Sequence, residues 1–222
     1  MKVLVTRPAR QAAATAVRLR ALGHEAIVSP LLEIIAIDWE MPPDLPDVVI
    51  ISSANALIGG LPPKLRDCPF FTMGAASATA ATAAGARQVT QVQAKGVGDL
   101  YAAARAQGAR TALHLCGRHR THAAAPEGLT VISVETYEAE RRSLLPAALG
   151  ALAGGEIDLA LIYSGRTMAQ FADDLAAAKI ARADVSVALL GEAAKDDLSG
   201  WQTLMRAPRP DEDSLFRAAG LL

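Results

Sequence analysis

The chain has 222 residues, 51% of them hydrophobic, and a formal net charge of -1 at pH 7. That length and apolar content suffice for one large domain or two small ones with real cores, which excludes disorder. The balanced charge supplies no basic field for nucleic acid or an anionic membrane, so the expected partner is a small molecule, held by local geometry.

The opening Met1-Lys2-Val3-Leu4-Val5-Thr6-Arg7-Pro8 ends its apolar run too early for a signal peptide. No stretch reaches the roughly 18 consecutive apolar residues of a membrane span, so a soluble, cytoplasmic protein is expected. Short β-branched runs predict strands at Lys2 to Thr6, Glu25 to Ser29, Val48 to Ser52, Phe70 to Met73, Gln88 to Val92, Ala112 to Leu115 and Thr130 to Glu135. Three more are predicted at Leu159 to Tyr163, Ser186 to Leu190 and Trp201 to Met205. Most precede Ala-rich helical stretches punctuated by Gly, which is βαβ organisation. Apolar runs such as Val48-Val49-Ile50-Ile51 and Leu159-Ala160-Leu161-Ile162 suit strands buried on both faces of a parallel sheet, so the fold class is α/β.

The chain repeats itself. Asp47-Val48-Val49-Ile50-Ile51-Ser52-Ser53-Ala54-Asn55 matches Asp158-Leu159-Ala160-Leu161-Ile162-Tyr163-Ser164-Gly165-Arg166 at an offset of 111 residues, half the chain. Each reads as Asp, apolar strand, Ser, helix. Met73-Gly74-Ala75-Ala76-Ser77 has a looser counterpart in Leu190-Gly191-Glu192-Ala193-Ala194, and Val3 to Arg7 one in Leu113 to Arg118. Two similar α/β halves account for this; one continuous doubly wound sheet is the alternative.

In open α/β sheets, ligands bind beyond the carboxyl ends of the strands, where helix N-termini favour anions. The loops so placed are Thr6-Arg7, Ser52 to Asn55, Gly74 to Ser77 with Ala75, Gly117-Arg118, Ser164-Gly165-Arg166 and Gly191-Glu192. Ser and Asn there also serve as helix caps, and recurrence in both halves is what favours ligand contact. Other chemistries find no support. No dinucleotide or P-loop glycine motif occurs, Gly96-Val97-Gly98 lacks the third glycine, and Ser164 lies in no G-x-S-x-G elbow. Cys68 and Cys116 are distant and lack C-x-x-C spacing, so both read as reduced thiols. Cys116, His119 and His122 are interleaved with Arg118 and Arg120, which would repel a cation. His24, after Gly23, reads as structural. Neither a metal nor an organic cofactor is expected.

Taken together, Val3-Leu4-Val5-Thr6-Arg7-Pro8, the Asp47 to Ala56 segment, the Gly74 to Ala78 turn, Cys116-Gly117, Tyr137 and Asp158 to Ser164 resemble the uroporphyrinogen-III synthase family across essentially the whole chain. The resemblance implies two flavodoxin-like parallel-sheet domains joined by a two-stranded linker, with the active site in the cleft between them. On this chain the first domain would be residues 1–31 plus 141–222, the second 38–133, and the linkers 31–37 and 134–140.

The implied reaction is closure of hydroxymethylbilane to uroporphyrinogen III, inverting ring D through a spiro intermediate with loss of water, in heme biosynthesis. Such catalysis works by orientation. Thr6, Arg7, Ser53, Asn55, Gly74, Ala75, Ser77, Gly117, Arg118, Ser164, Arg166 and Gly191 would hold the substrate's carboxylates. Carry-over makes Tyr137 the weak acid that assists departure of the hydroxyl. The expected partners are the linear tetrapyrrole and, transiently, hydroxymethylbilane synthase, with the chain a monomer.

Two departures bear on the site. Glu192-Ala193-Ala194 stands where the family usually shows a threonine, and Thr121 where it shows a basic residue that Arg118 or Arg120 would replace. Rival readings are a non-catalytic two-domain binder of anionic small molecules and a degenerate relative of the synthases.

Overall fold

The runs Val48–Ile51 and Leu159–Ile162 are buried at every position, because helices cover both faces of the sheets that these strands centre. The computed structural model describes residues 1–222. In chain order its elements are β1 (Lys2–Val5), α1 (Ala9–Ala21), β2 (Glu25–Val28), β3 (Leu32–Ala36), β4 (Val48–Ile51), β5 (Pro69–Met73), α2 (Gly74–Ala83), β6 (Gln88–Val92), α3 (Val97–Ala106), β7 (Thr111–Gly117) and β8 (Thr130–Arg141). They continue with α4 (Pro146–Ala153), β9 (Leu159–Ile162), α5 (Gly165–Ala177), β10 (Ser186–Leu189), β11 (Thr203–Arg206) and α6 (Glu212–Ala218).

The chain divides into two units, Met1–Glu33 with Glu140–Leu222, and Ile34–Ala139. It passes from one to the other within β3 and again within β8. The first unit holds a parallel sheet ordered β11-β10-β9-β1-β2. Counted along the chain this is 2-1-3-4-5, the flavodoxin-like order. In the second sheet, β3-β8-β7-β4-β5-β6, the strands from β8 to β6 are parallel and, counted from β4, run 3-2-1-4-5. Counting the first sheet from β9 produces that same order, so the two sheets are cyclic permutations of one pattern. The sequence repeats follow it: the Asp47 and Asp158 segments form β4 and β9, and those at Val3 and Leu113 form β1 and β7. Each half of the chain therefore contributes strands to both sheets.

The repeated aspartate has a definite task. Asp47 Oδ2 accepts from the Arg110 and Thr111 N–H groups at 2.8 and 2.9 Å, tying the start of β7 to β4. Asp158 Oδ2 accepts from the Lys2 N–H at 2.6 Å and does the same for β1 and β9. The donated bonds, that from Arg110 first, hold the Asp47 carboxyl below its usual range.

Strand alternation sorts side chains into two cores per unit. In the first, Leu4, Ala160, Ile162, Val187 and Leu189 face Phe171 and Leu175 of α5, while Val3, Val5, Leu159 and Leu161 face Leu19 of α1 and Phe216 of α6. In the second, Val49, Ile51, Leu113 and Leu115 face α2, and Val48, Ile50 and Phe71 face Leu100 and Tyr101 of α3. Helix spacing matches: α1 buries Ala12, Thr15, Ala16 and Leu19, one stripe of a 3.6-residue period.

The structure differs from the expected elements in places. After β4 the chain forms a short 3-10 turn, Ala54–Leu57, where a helix is predicted, and after β10 it forms another, Lys195–Leu198. No helix separates β7 from β8. Trp201 precedes β11 and stacks its ring on Phe171 at 5.7 Å. The stretch 134–140 continues β8, and the ladder with β7 passes a bulge at Cys116/Gly117 and reaches Tyr137.

Gly165 opens α5 under the backbone of the loop after β10; an added Cβ would lie 2.5 Å from the Glu192 carbonyl oxygen. Gly165→Ala should therefore cost about 1–3 kcal/mol, read as a melting temperature several degrees lower. Gly150→Ala, at an open position inside α4, should instead raise it slightly.

Candidate active site

At the carboxyl edge of the second sheet, four neighbouring strands present β8 with Tyr137, β7 with Gly117, β4 with Ser52 to Asn55, and β5 with Gly74 to Ser77. Tyr137 pairs with Gly117, and the Arg118 N–H donates to its carbonyl at 2.9 Å. The Tyr137 ring lies against the Gly117 Cα: a Cβ there would stand 2.7 Å from Cζ and 2.9 Å from the hydroxyl oxygen. Glycine at 117 is thus what lets the phenol lie flat across the strand end. The Thr136 hydroxyl donates to the Ala56 carbonyl at 2.9 Å and draws the 3-10 turn toward β8. That turn is capped by Ser53, whose Oγ accepts from the Asn55 N–H at 3.2 Å.

Beside it, Gly74, at φ +78, starts α2 with no side-chain cap and no acidic residue in the first turn. Its leading N–H groups and the helix dipole are available to an anion, and Ala75 is exposed there. Ser77 is buried, at 2% exposure, one turn in.

The guanidinium groups nearby already have carboxylate partners. Arg118 donates to Glu135 at 3.2 Å and to Glu138 at 2.5 Å, and Arg120 to Glu135 and the Gly117 carbonyl, each at 3.2 Å. Arg118, then Arg120, hold the Glu135 carboxyl below its ordinary range. Cys116 is buried and donates through Sγ to the Val134 carbonyl at 3.2 Å.

In the first unit, Thr6-Arg7, Ser164 to Arg166 and Gly191 fall at the carboxyl ends of the adjacent strands β1, β9 and β10. Their side chains are largely engaged. Thr6 is fully buried and donates to the Leu161 carbonyl at 2.7 Å. Arg7 donates to Glu212 Oε1 at 2.8 Å and lies 4.4 Å above the Tyr163 ring. The same carboxylate oxygen accepts from Thr15 at 2.5 Å and from the Tyr163 hydroxyl at 3.2 Å. Burial and the Glu212 charge raise the Tyr163 phenol well above its usual range. Ser164 caps α5 through the Thr167 N–H at 3.1 Å, and Arg166 is half-buried. Gly191 is exposed, but no α-helix follows it, and Glu192 packs over the first turn of α5.

The sequence from residue 13 to 217 matches the family model described as uroporphyrinogen-III synthase HemD. The chain belongs to the uroporphyrinogen-III synthase family. Among solved structures it is similar to uroporphyrinogen-III synthetase from Helicobacter pylori, at 12% identity and a TM-score of 0.61, covering 98% of this chain and 97% of that one. It is also similar to a mutant uroporphyrinogen III synthase from Thermus thermophilus, at 14% identity and a TM-score of 0.51, covering 99% and 96%. At those identities the likeness shows the fold alone. No curated protein matches the sequence. Family and fold indicate a uroporphyrinogen-III synthase of heme biosynthesis, and no helix is long and apolar enough to cross a membrane.

Within this family setting, the three tyrosines divide by their partners. The hydroxyls of Tyr101 and Tyr163 are hydrogen-bonded inside the chain, at 2.9 Å to His114 and 3.2 Å to Glu212, whereas that of half-buried Tyr137 has no hydrogen-bond partner in the chain. Sequence reasoning passed over His114, Tyr101 and Glu212. The signal for the first was an imidazole inside the apolar run Ala112 to Cys116, where a polar group has to find a buried partner.

His114 is 1% exposed, and burial, with the nearby Arg120 cation, lowers its pKa to about 4. Tyr101, Ser52 and Arg120 face it, and the ring is neutral at pH 7. The unfolded chain takes up this proton near pH 6.5 and the folded chain only near 4. The contribution is thus intact above about pH 6.5 and falls by about 1.4 kcal/mol per unit toward pH 4, about 3 kcal/mol in all. Denaturant midpoints at pH 7 and pH 5 should differ more for the wild type than for His114→Gln.

Proposed function

We propose that this chain closes hydroxymethylbilane to uroporphyrinogen III, inverting ring D through a spiro intermediate with loss of water, and that it needs neither metal nor organic cofactor. Family membership sets the reaction class. The observation that best supports the finer reading is the second unit's strand edge, which combines the unpartnered Tyr137 hydroxyl, the Ser53–Asn55 turn and the uncapped start of α2. These are neutral hydrogen-bond donors beside a phenol, while Arg7, Arg118 and Arg120 are already paired with protein carboxylates.

Such a set suits a substrate carrying an acetate and a propionate on every pyrrole, because backbone N–H groups and hydroxyls grip carboxylates without a buried countercharge. Tyr137 donates its proton to the departing hydroxyl as the C–O bond breaks, so that water leaves and an azafulvenium cation remains beside the tyrosinate. The substituted α-carbon of ring D, held nearest by the bound conformation, attacks that cation to form the spiro centre; its original bond to the bridging methylene then breaks, the methylene rebonds to the free α-carbon of ring D, and the proton lost there returns to Tyr137. Thr6, Arg7, Ser164, Arg166 and Gly191 are the first unit's candidates for further substrate contacts. The division at Glu33/Ile34 and Ala139/Glu140 supports two domains, with β3 and β8 as the connecting strands. Transient contact with hydroxymethylbilane synthase belongs to the same reading, since the free substrate also closes spontaneously to the uninverted ring.

A reading as a degenerate relative takes its support from Glu192, which places a carboxylate and its own backbone at the first unit's strand ends. Incubation with enzymatically generated hydroxymethylbilane, in the presence of a chelator, separates the readings: the type III isomer should form at an undiminished rate. Accumulation of only the type I isomer, or loss of activity restored by one metal, would overturn the proposal. Tyr137→Phe should lower turnover by about ten-fold to a hundred-fold with nearly unchanged melting temperature. Ser53→Ala and Asn55→Ala should raise KM several-fold with a smaller effect on turnover. Full turnover in Tyr137→Phe would return that residue to packing.

A further inference from the structure

The apolar core between the second sheet and α3 contains one polar thread. His114 on β7 is registered with Ile50 of β4 and Ser133 of β8, so its side chain points into that core. Its Nδ1 lies 2.9 Å from the hydroxyl of buried Tyr101 on α3, and its Nε2 lies 3.4 Å from the Ser52 hydroxyl at the end of β4. Ser52 immediately precedes Ser53, the cap of the turn assigned above to carboxylate binding.

A neutral imidazole donates through one nitrogen and accepts through the other, so the thread has two internally consistent senses. In one, Tyr101 donates to Nδ1, and Nε2–H to Ser52 Oγ, which leaves the Ser52 O–H free to donate outward. In the other every donor is reversed, and Ser52 spends its proton on Nε2. An anion at the strand end stabilises only the first sense, and hydrogen bonds aligned in series strengthen one another. Burial keeps the imidazole uncharged near neutral pH, so the thread supplies directed donation without a cation.

We propose that Tyr101 and His114 are positioning residues that set the Ser52 hydroxyl as an outward donor to a substrate carboxylate at the end of β4. This rests on the reading of that strand edge as the substrate site. Neither residue touches substrate; both act through Ser52.

The test is a double-mutant cycle on the full chain with hydroxymethylbilane, reading type III formation, KM and kcat separately. Tyr101→Phe removes one oxygen from the thread at constant ring volume, and His114→Gln guards against an effect peculiar to that variant. In protein whose melting temperature is within a few degrees of wild type, each should raise KM about three- to ten-fold with kcat changed less than two-fold. In a Ser52→Ala background, Tyr101→Phe should add nothing further, because the donor it aligns is gone. Unchanged KM in folded Tyr101→Phe and His114→Gln, or effects fully additive with Ser52→Ala, would overturn the proposal while leaving the synthase reading intact. A wild-type chain that forms no type III isomer would remove that reading, and this inference with it.

Discussion

Both sheets depend on central strands that helices bury on each face. Val48–Ile51 and Leu159–Ile162 admit no polar side chain along their length, so hydroxyls, glycines and arginines are displaced to the strand ends. There the parallel arrangement gathers them along one edge, since every strand from β8 to β6, and every strand of the first sheet, ends on the same side. His114 lies buried within the interior strand β7. It is tolerated because Tyr101 and Ser52 satisfy both ring nitrogens, and burial without such partners would cost several kcal/mol.

The same burial requirement explains the exchange between the chain's halves. The first half supplies β1 and β2 to one sheet and β3 to β6 to the other, and the second half supplies their complements. Neither half can cover its own central strand, so β4 finds β7 and β1 finds β9 across long stretches of chain. Asp47 and Asp158 sit at those two junctions, each accepting main-chain N–H groups from the incoming strand. Repeated aspartates thus secure two pairings that close long loops.

Charge is distributed so that the candidate site is close to neutral. Arg7, Arg118 and Arg120 are all in ion pairs with glutamates, so their first effect is to order loops and α6. What remains for a ligand at the second sheet's edge is main-chain N–H groups, hydroxyls and one phenol. An enzyme that must hold a flexible polyanion in one conformation gains from directional neutral donors, which specify geometry without the strong, less directional pull of buried cations.

Much of this was legible in the sequence. Apolar runs marked the central strands, spacing of alanines and leucines marked the helix stripes, and the Asp-strand-Ser repeat marked β4 and β9, because these features depend on local periodicity and on burial alone. The loops at the strand ends followed from the same logic. Which strand pairs with which did not: identical patterns can close within a half or across halves, and only packing selects the cyclic order. Nor could side-chain partners be read. Thr6 looked available yet donates to a carbonyl in the core, Arg7 looked free yet is held by Glu212 from the far end of the chain, and Gly191 resembled Gly74 yet leads into a 3-10 turn. Gly117 looked like a binding glycine, and only the tertiary structure shows that its missing Cβ is the space in which the Tyr137 ring lies. Such contacts join residues separated by tens to hundreds of positions, and no local period encodes them.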